Sequence, residues 1–250
     1  NFQELRKLLS KMGIEFITQS DTEVLLHYLR IFGAKGLEKL NGMFALIYVD
    51  LISKSVLVAR DRNGEKPLYY AQSPDSLVIS SEIRGIASLQ NHAPDWEQVE
   101  HYFYFRAPSP GKTFHRGISA WKPGRYSTIL RHDTFRWDTL PMPKAEKEAP
   151  SQEVFPKLLE KVILNQFHAD VPVGVLLSGG ADSSLLYTLW YKKTGTPLPA
   201  FTIQVEKKYR VKYADGNHAI RFAKQIPTEH HLIEIDQQVF LENWDEYIQS

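Results

Sequence analysis

Seven residues have the types and spacing to hold a chain of phosphates: Ser178-Gly179-Gly180-Ala181-Asp182-Ser183-Ser184. The apolar run Val175-Leu176-Leu177 leads straight into them, and a helical pattern follows. Paired glycines let backbone N–H groups come close to an anion. The first turn of a helix adds unsatisfied N–H groups and a partial positive charge. Ser178, Ser183 and Ser184 can each donate a hydroxyl hydrogen bond to phosphate oxygen. Asp182 is out of place in a pure anion hole, so it implies either a bridging Mg²⁺ or a role in ordering the loop. The Gly-Lys-Ser/Thr ending of a Walker A loop is missing, which points away from γ-phosphoryl transfer, and the dinucleotide glycine pattern is not met either. The plain alternative is a tight turn in which Asp182 or Ser183 caps the helix.

Other chemistry-bearing residues are weaker. Asp21 directly follows Ser20, where an acidic residue also favours the helix dipole. Asp215-Gly216 is a good turn signal, which stands against any role for the Asp215 carboxylate. Adjacent residues on a strand point to opposite faces, so His230 and His231 cannot easily share a metal ion. The cluster Tyr102-Phe103-Tyr104-Phe105 lacks the basic run that base stacking would need, and is expected to pack in the core or between domains. Lys207, Lys208, Arg210 and Lys212 form a solvated charged stretch.

The elements that position these residues fall into two textures. A first helix carries Leu5, Leu8, Leu9 and Met12 on one face and ends at Gly13. A second begins at Ser20, which forms a capping-box pattern with Glu23, and continues through Val24, Leu25, Tyr28, Leu29 and Phe32. Strands follow over 43–49 and 56–59, then over 68–71 and 77–80, with turn-sized connections that require antiparallel pairing. A helix is expected near 82–89, and irregular loops with short strands over 103–130. Arg60 and Asp61 read as organisers of the loop to Pro67. Residues 138–151 hold Pro141, Pro143 and Pro150 with Lys144, Glu146, Lys147 and Glu148, the composition of a linker. Beyond them strands and helices alternate. A helix has Val154, Phe155, Leu158, Leu159, Val162 and Ile163, and a strand over 171–177 is buried on both faces. Next come a helix over 183–193 with Leu185, Leu186, Leu189 and Trp190 inward, a strand over 201–205, a helix over 218–225 and a strand over 231–235. That alternation predicts an α/β, parallel, doubly wound sheet.

Composition bounds the reading. The 250 residues, 43% hydrophobic and 24% charged, can build a sizeable core in one large domain or two modest ones. A formal net charge of +1 lacks the basic excess of a nucleic-acid or acidic-membrane binder. With no cysteine, these residues form no disulfide, thiolate metal site or cysteine nucleophile. No apolar run approaches the roughly 20 residues that span a bilayer, and no signal-peptide pattern opens the chain, so a cytoplasmic location is expected. The first residue is Asn1 rather than Met, as in a processed or truncated chain.

The 178–184 loop, preceded by Asp170-Val171-Pro172-Val173-Gly174, resembles the pyrophosphatase loop of glutamine-dependent asparagine synthetases. The resemblance implies that the loop holds the pyrophosphate of ATP while an acceptor carboxylate attacks the α-phosphate. An acyl-adenylate forms, and ammonia then displaces AMP to give an amide. On this basis Ser178, Gly179, Gly180, Asp182 and Ser183 contact pyrophosphate or its Mg²⁺, Asp182 being the metal ligand, and Leu176 and Ile203 line the adenine side. Ser20-Asp21-Thr22-Glu23-Val24 resembles the family's glutamine-binding segment, with Asp21 on the α-amino group. Arg60-Asp61-Arg62-Asn63-Gly64-Glu65-Lys66-Pro67-Leu68-Tyr69-Tyr70 and Ser81-Glu82-Ile83 resemble its glutaminase domain, an N-terminal-nucleophile (Ntn) αββα antiparallel sandwich.

The implied organisation is an incomplete α+β amidotransferase domain over 1–137, a linker over 138–151, and the start of an α/β synthetase domain over 152–250. The family's N-terminal cysteine and Asn-Gly oxyanion pair have no counterpart here, so the catalytic residue is unknown. Asn1-Phe2-Gln3-Glu4-Leu5-Arg6 is similar to sequence just after the oxyanion segment. Either upstream residues lie outside this sequence or glutaminase function has been lost. The family's later Gly-rich acidic segment is likewise not found, and Ala214-Asp215-Gly216-Asn217 stands where the family often has an Asp-Glu pair. The resemblance implies glutamine, ATP and aspartate as small-molecule partners, with no nucleic acid or membrane, and leaves room for a homodimer. Two alternatives stay open: an adenylating enzyme with another carboxylate acceptor, as in β-lactam synthetases or tailoring amidotransferases, and a non-catalytic paralogue that binds nucleotide or a partner.

Overall fold

The computed structural model describes residues 1–89, 92–130, 137–141, 149–167, 169, 171–206, 208 and 215–249. The chain divides into two compact units, Asn1–Ala145 and Glu146–Ser250. Half of the expected linker, including Lys144, Glu146, Lys147 and Glu148, lies outside the described residues, as do Lys207, Arg210 and Lys212.

In the first unit, helix α1 (Phe2–Lys11) buries Leu5 and Leu9 and leaves Leu8 and Met12 exposed, a narrower apolar face than the sequence pattern promised. Gly13 turns the chain with φ 86°. Helix α2 (Asp21–Phe32) starts at Ser20, whose hydroxyl accepts the Thr22 N–H at 3.0 Å, and buries Val24, Tyr28 and Leu29. The hairpin of β1 (Ala45–Asp50) and β2 (Ser55–Arg60) turns Leu46, Leu57 and Ala59 toward these helices.

A second hairpin joins β3 (Tyr69–Gln72) to β4 (Leu77–Ser80). Helices α3 (Ile83–Ala87) and α4 (Trp96–Phe105) follow, then β5 (Ile118–Ala120), β6 (Arg125–Leu130) and β7 (Asp138–Thr139). The strands form two antiparallel sheets, β1-β2-β6-β7 and β4-β3-β5. Val58, on the face of β2 away from α1, packs with Leu68, Trp121, Tyr70 and Ile79, so the two sheets share a core. Ile86 of α3 packs with Ala71 and Ile118 on the far side of the second sheet.

Two local readings are corrected in this unit. The start of the segment expected to be irregular is the last turn of α4. There Tyr102, Phe103, Tyr104 and Phe105 are exposed rather than in the core, Phe103 by 80%. Four consecutive helical residues sweep more than a full turn, so they cannot share one buried face. Asp138, Thr139 and Leu140, expected in the linker, belong to the fold instead: Asp138 and Thr139 pair with β6 and Leu140 is buried.

The second unit runs α5 (Val154–Gln166), β8 (Val175–Leu176), α6 (Ala181–Thr194), β9 (Ala200–Val205), α7 (Asp215–Ala223), β10 (His230–Ile235), α8 (Gln237–Glu242) and α9 (Trp244–Gln249). The sheet is parallel in the order β10-β9-β8. Both crossovers step in the same direction, and right-handed connections then put α6 and α7 on the same face. Tyr187 of α6 and Ala219 of α7 accordingly share one buried cluster with Val175, Leu177 and Ala200. The opposite face carries Leu176, Ile203, Val205 and Ile233, all exposed.

This one-sidedness corrects the expectation of a strand buried on both faces over 171–177. Only Val175 and Leu176 pair, and Val171 and Leu176 are exposed. Tyr187, rather than Leu185, Leu186, Leu189 or Trp190, is the fully buried side chain of α6. Its hydroxyl donates to the Pro227 carbonyl and accepts the Leu198 N–H, so a polar tip is satisfied deep in the cluster.

Candidate functional site

The 178–184 loop sits at the carboxyl end of β8 and opens α6, the place where open parallel sheets bind ligands. Leu177, the residue before it, is tied to β9 through its N–H, which reaches the Phe201 carbonyl at 2.8 Å. Gly179 has φ 74°, and a Cβ there would lie 2.3 Å from Ala219 N and 2.3 Å from the His218 carbonyl carbon. The loop therefore lies directly on the backbone of α7, which only glycine permits. Ser178 and Ser183 bring their hydroxyls within 3.1 Å of each other, and the Gly180 N–H donates to Ser178 Oγ at 3.3 Å.

Gly180 is the N-cap of α6, and no side chain caps the helix. The alternative in which Asp182 or Ser183 serves as the cap is thus not what the structure builds. The first-turn N–H groups stay available to an anion. Asp182 is exposed within that first turn. Of the residues expected on the adenine side, Leu176 is 75% exposed and Ile203 57% exposed, on the same open face of the sheet. Asp215 begins α7, but its side chain lies outside the described residues. Among the described residues, no group of three or more His, Cys, Asp or Glu could hold a metal ion.

In the first unit Asp21 lines a cleft of about 320 Å³ with Thr22, Leu25, Met43, Phe44, Ala45, Leu46, Lys66, Pro67 and Ser81. A smaller space of about 210 Å³, sharing Asp21, Leu25, Met43 and Phe44 with the cleft, reaches Asn1, Asn41 and Gly42. The lining of the larger cleft mixes apolar side chains with one acidic residue, Asp21, and one basic residue, Lys66. Asp21 is exposed at the first turn of α2.

The capping box around it is only half built. Glu23 passes over the Ser20 N–H and takes the Ile17 N–H at 2.8 Å, the Thr18 N–H at 2.7 Å and the Thr18 hydroxyl at 2.6 Å. The Thr18 hydroxyl and the Ile17 N–H are the main reasons its carboxyl is lowered to about 2, with His27 adding a little. Arg6 reaches the same segment from α1, donating to the Thr18 and Ser20 carbonyls at 2.9 and 3.2 Å, its guanidinium 4.3 Å from the Phe16 ring centroid. Sequence reasoning missed these two tethers. The one available hint was an Arg bordering the Leu5 and Leu9 face of the first helix.

Arg60 and Asp61 organise the loop to Pro67, as their positions implied. Arg60 donates to the carbonyls of Lys66, Trp121 and Gly64 at 2.6–2.7 Å. Asp61 is buried and accepts the N–H groups of Asn63, Glu65 and Lys66. Burial works against its charge, but those N–H groups outweigh it and hold the carboxyl below the ordinary carboxylate range. Arg62 extends the scaffold, donating to the carbonyls of Pro141, Leu40 and Glu38. In the second unit His230 and His231 part company as strand geometry requires. His230 meets the Thr202 hydroxyl at 2.8 Å, while His231 stacks on Phe201 with ring centroids 4.9 Å apart.

Comparison with known proteins bears on both units. Residues 1–138 match the family model described as a glutamine amidotransferase domain, and residues 155–250 the one described as asparagine synthase. The chain is similar to asparagine synthetase (glutamine-hydrolyzing) 1 of Bacillus subtilis (strain 168), 31% identical over 214 residues, covering 83% of this chain and 34% of that protein. It is also similar to asparagine synthetase (glutamine-hydrolyzing) 3 of the same organism, 27% identical over 266 residues, with 99% and 43% coverage. The chain thus spans less than half the length of these curated relatives. A solved structure, glutamine phosphoribosylpyrophosphate amidotransferase from B. subtilis complexed with ADP and GMP, shares 15% identity at a TM-score of 0.39, covering 93% of this chain and 58% of its own. The chain belongs to the asparagine synthetase family, with a glutamine amidotransferase domain over 1–138 and an asparagine synthase domain over 155–250.

Proposed function

We propose that the second unit holds ATP by its pyrophosphate and adenylates a carboxylate acceptor, aspartate by default, and that the first unit binds glutamine as the source of the amide nitrogen. The observation that carries this reading is the uncapped N-terminus of α6 behind a loop that rests on α7 at Gly179. In the proposed reaction a carboxylate oxygen attacks the α-phosphorus and the bond to the bridging oxygen of pyrophosphate breaks. Ammonia nitrogen then attacks the acyl carbon, AMP leaves, and the nitrogen loses a proton. The first-turn N–H groups of α6 with the hydroxyls of Ser178 and Ser183 would receive the charge that gathers on the leaving pyrophosphate. Magnesium, when bound, would neutralise part of that charge. Asp182 is the residue that would hold it, since it is not consumed in capping, and one carboxylate shared with phosphate oxygens is an ordinary Mg²⁺ environment. Leu176 and Ile203 offer the apolar surface for the adenine.

For glutamine, the reading rests on Asp21 at the wall of its cleft, where it would take the α-amino group. These 250 residues supply no thiol nucleophile, so what they provide is binding. The layer order of the first unit supports an Ntn-type αββα sandwich, and the order β10-β9-β8 supports one half of a doubly wound sheet. The test is pyrophosphate release from ATP with Mg²⁺, aspartate and ammonia, in wild type and Asp182→Ala. Release that Asp182→Ala abolishes is expected. Release with a different carboxylate alone would remove aspartate as acceptor, and failure to bind ATP would remove the adenylation reading.

A further inference from the structure

His230 lies two strands away from the loop in sheet order, yet a continuous chain of hydrogen bonds connects them. Its Nε2 meets the Thr202 hydroxyl at 2.8 Å, and that hydroxyl meets the Leu177 carbonyl at 2.5 Å. A carbonyl only accepts, so the single hydroxyl hydrogen of Thr202 goes to Leu177. The Thr202 oxygen must then receive a hydrogen from His230, which fixes the ring with Nε2 protonated. The chain runs from β10 through β9 to the residue that follows β8 and precedes Ser178.

The place where it ends is informative. Backbone pairing of β8 with β9 stops at Leu176 and Phe201. Leu177 is still held by its N–H to the Phe201 carbonyl, and its carbonyl is taken by a side chain in place of the next ladder donor. Thr202 and Leu177 are 3% and 2% exposed, so water cannot easily replace either bond. The orientation of the Leu177 peptide sets the direction in which Ser178, Gly179 and Gly180 leave the sheet. His231, next along, is turned to the other face by its stack on Phe201 and takes no part.

We propose that Thr202 and His230 are positioning residues for the pyrophosphate loop, acting through the Leu177 carbonyl. This rests on reading 178–184 as that loop. Thr202→Val keeps the shape and removes both hydrogen bonds, Thr202→Ser keeps the hydroxyl, and His230→Phe removes only the outer bond. On the whole chain, calorimetric titration with inorganic pyrophosphate and Mg²⁺ should show Thr202→Val weakened about tenfold, the scale of one buried hydrogen bond, with Thr202→Ser within about twofold of wild type. His230→Phe should fall between them. The amide resonances of Gly179 and Gly180 should shift in Thr202→Val and not in Thr202→Ser.

Asp182→Ala and Ser178→Ala serve as loop controls. If they weaken pyrophosphate binding while Thr202→Val and His230→Phe do not, the positioning role is wrong and the loop reading survives. If the wild type does not bind pyrophosphate, the loop reading fails, and the Gly179 and Gly180 resonances decide the relay by themselves. Unshifted resonances in both Thr202→Val and His230→Phe overturn it.

Discussion

Gly179→Ala tests whether the 178–184 loop depends on its contact with α7. Two costs add. The residue sits at φ 74°, where a side chain is disfavoured by about 1–2 kcal/mol. The new methyl would also stand 2.3 Å from Ala219 N and the His218 carbonyl carbon, and 2.7 Å from His218 O. All three are backbone atoms, so no rotamer change relieves the clash. Restoring ordinary contact at 3.4 Å needs a retreat of 3.4 − 2.3, about 1.1 Å, by the loop or by α7. Forced overpacking of this kind costs about 1–3 kcal/mol more. The total is about 3 kcal/mol, which at a urea slope of about 2 kcal/mol/M lowers the midpoint by about 1.5 M. Gly195→Ala isolates the backbone part, because Gly195 has φ 67° with nothing within 4 Å of its added Cβ. It should lose only about 1–2 kcal/mol. Urea unfolding followed by tryptophan fluorescence, with pyrophosphate affinity measured alongside, distinguishes the two. Equal midpoint shifts for Gly179→Ala and Gly195→Ala would refute the claim that the loop is seated on the α7 backbone.

Glu23 has a folded carboxyl lowered to about 2 from an ordinary 4.5, so the unfolded chain binds its proton first as pH falls. Its contribution is full above about 4.5 and is lost as pH drops toward 2. Glu23→Gln should flatten that segment of the stability–pH curve, and an acid titration of unfolding with unchanged slope would contradict the assignment. Arg62→Ala should destabilise the first unit by about 1–3 kcal/mol through three released carbonyls. Arg62→Lys should not restore it, because a single ammonium lacks the forked donors that span separate segments. Denaturant midpoints would show this directly.

Local signals that act over a few residues were legible in the chain. Ser20 opens α2, and of the two glycines able to stop that helix, Gly33 and Gly36, it is Gly33 that closes it at φ 56°. Ser73-Pro74-Asp75 turns between β3 and β4, and the paired glycines lead into α6. What escaped depends on neighbours distant in sequence. An apolar run over 171–177 does not reveal that both crossovers fall on one side of the sheet. Nor does helical periodicity reveal that Tyr187, rather than its leucine neighbours, finds partners for its hydroxyl at Pro227 and Leu198. Glu23 occupies the capping-box position, yet its carboxylate takes the Ile17 and Thr18 N–H groups while the Ser20 N–H goes to the Thr18 hydroxyl. Of the loop residues, Gly179 was legible as a glycine able to approach an anion. Its second reason, the backbone of α7 behind it, is tertiary.

The order β10-β9-β8 gives the three strands unequal shares of protection. β9 is paired with β10 along its whole length and with β8 at Ala200 and Phe201, whereas β8 contributes only Val175 and Leu176 to the sheet. Amide exchange should therefore be slowest in β9 and fastest in β8, because local opening follows the number of ladder bonds that must break. The 178–184 loop hangs from the strand that opens most readily. Ligand capture there would slow exchange at 175–177, joining the loop to the cooperative unit centred on β9.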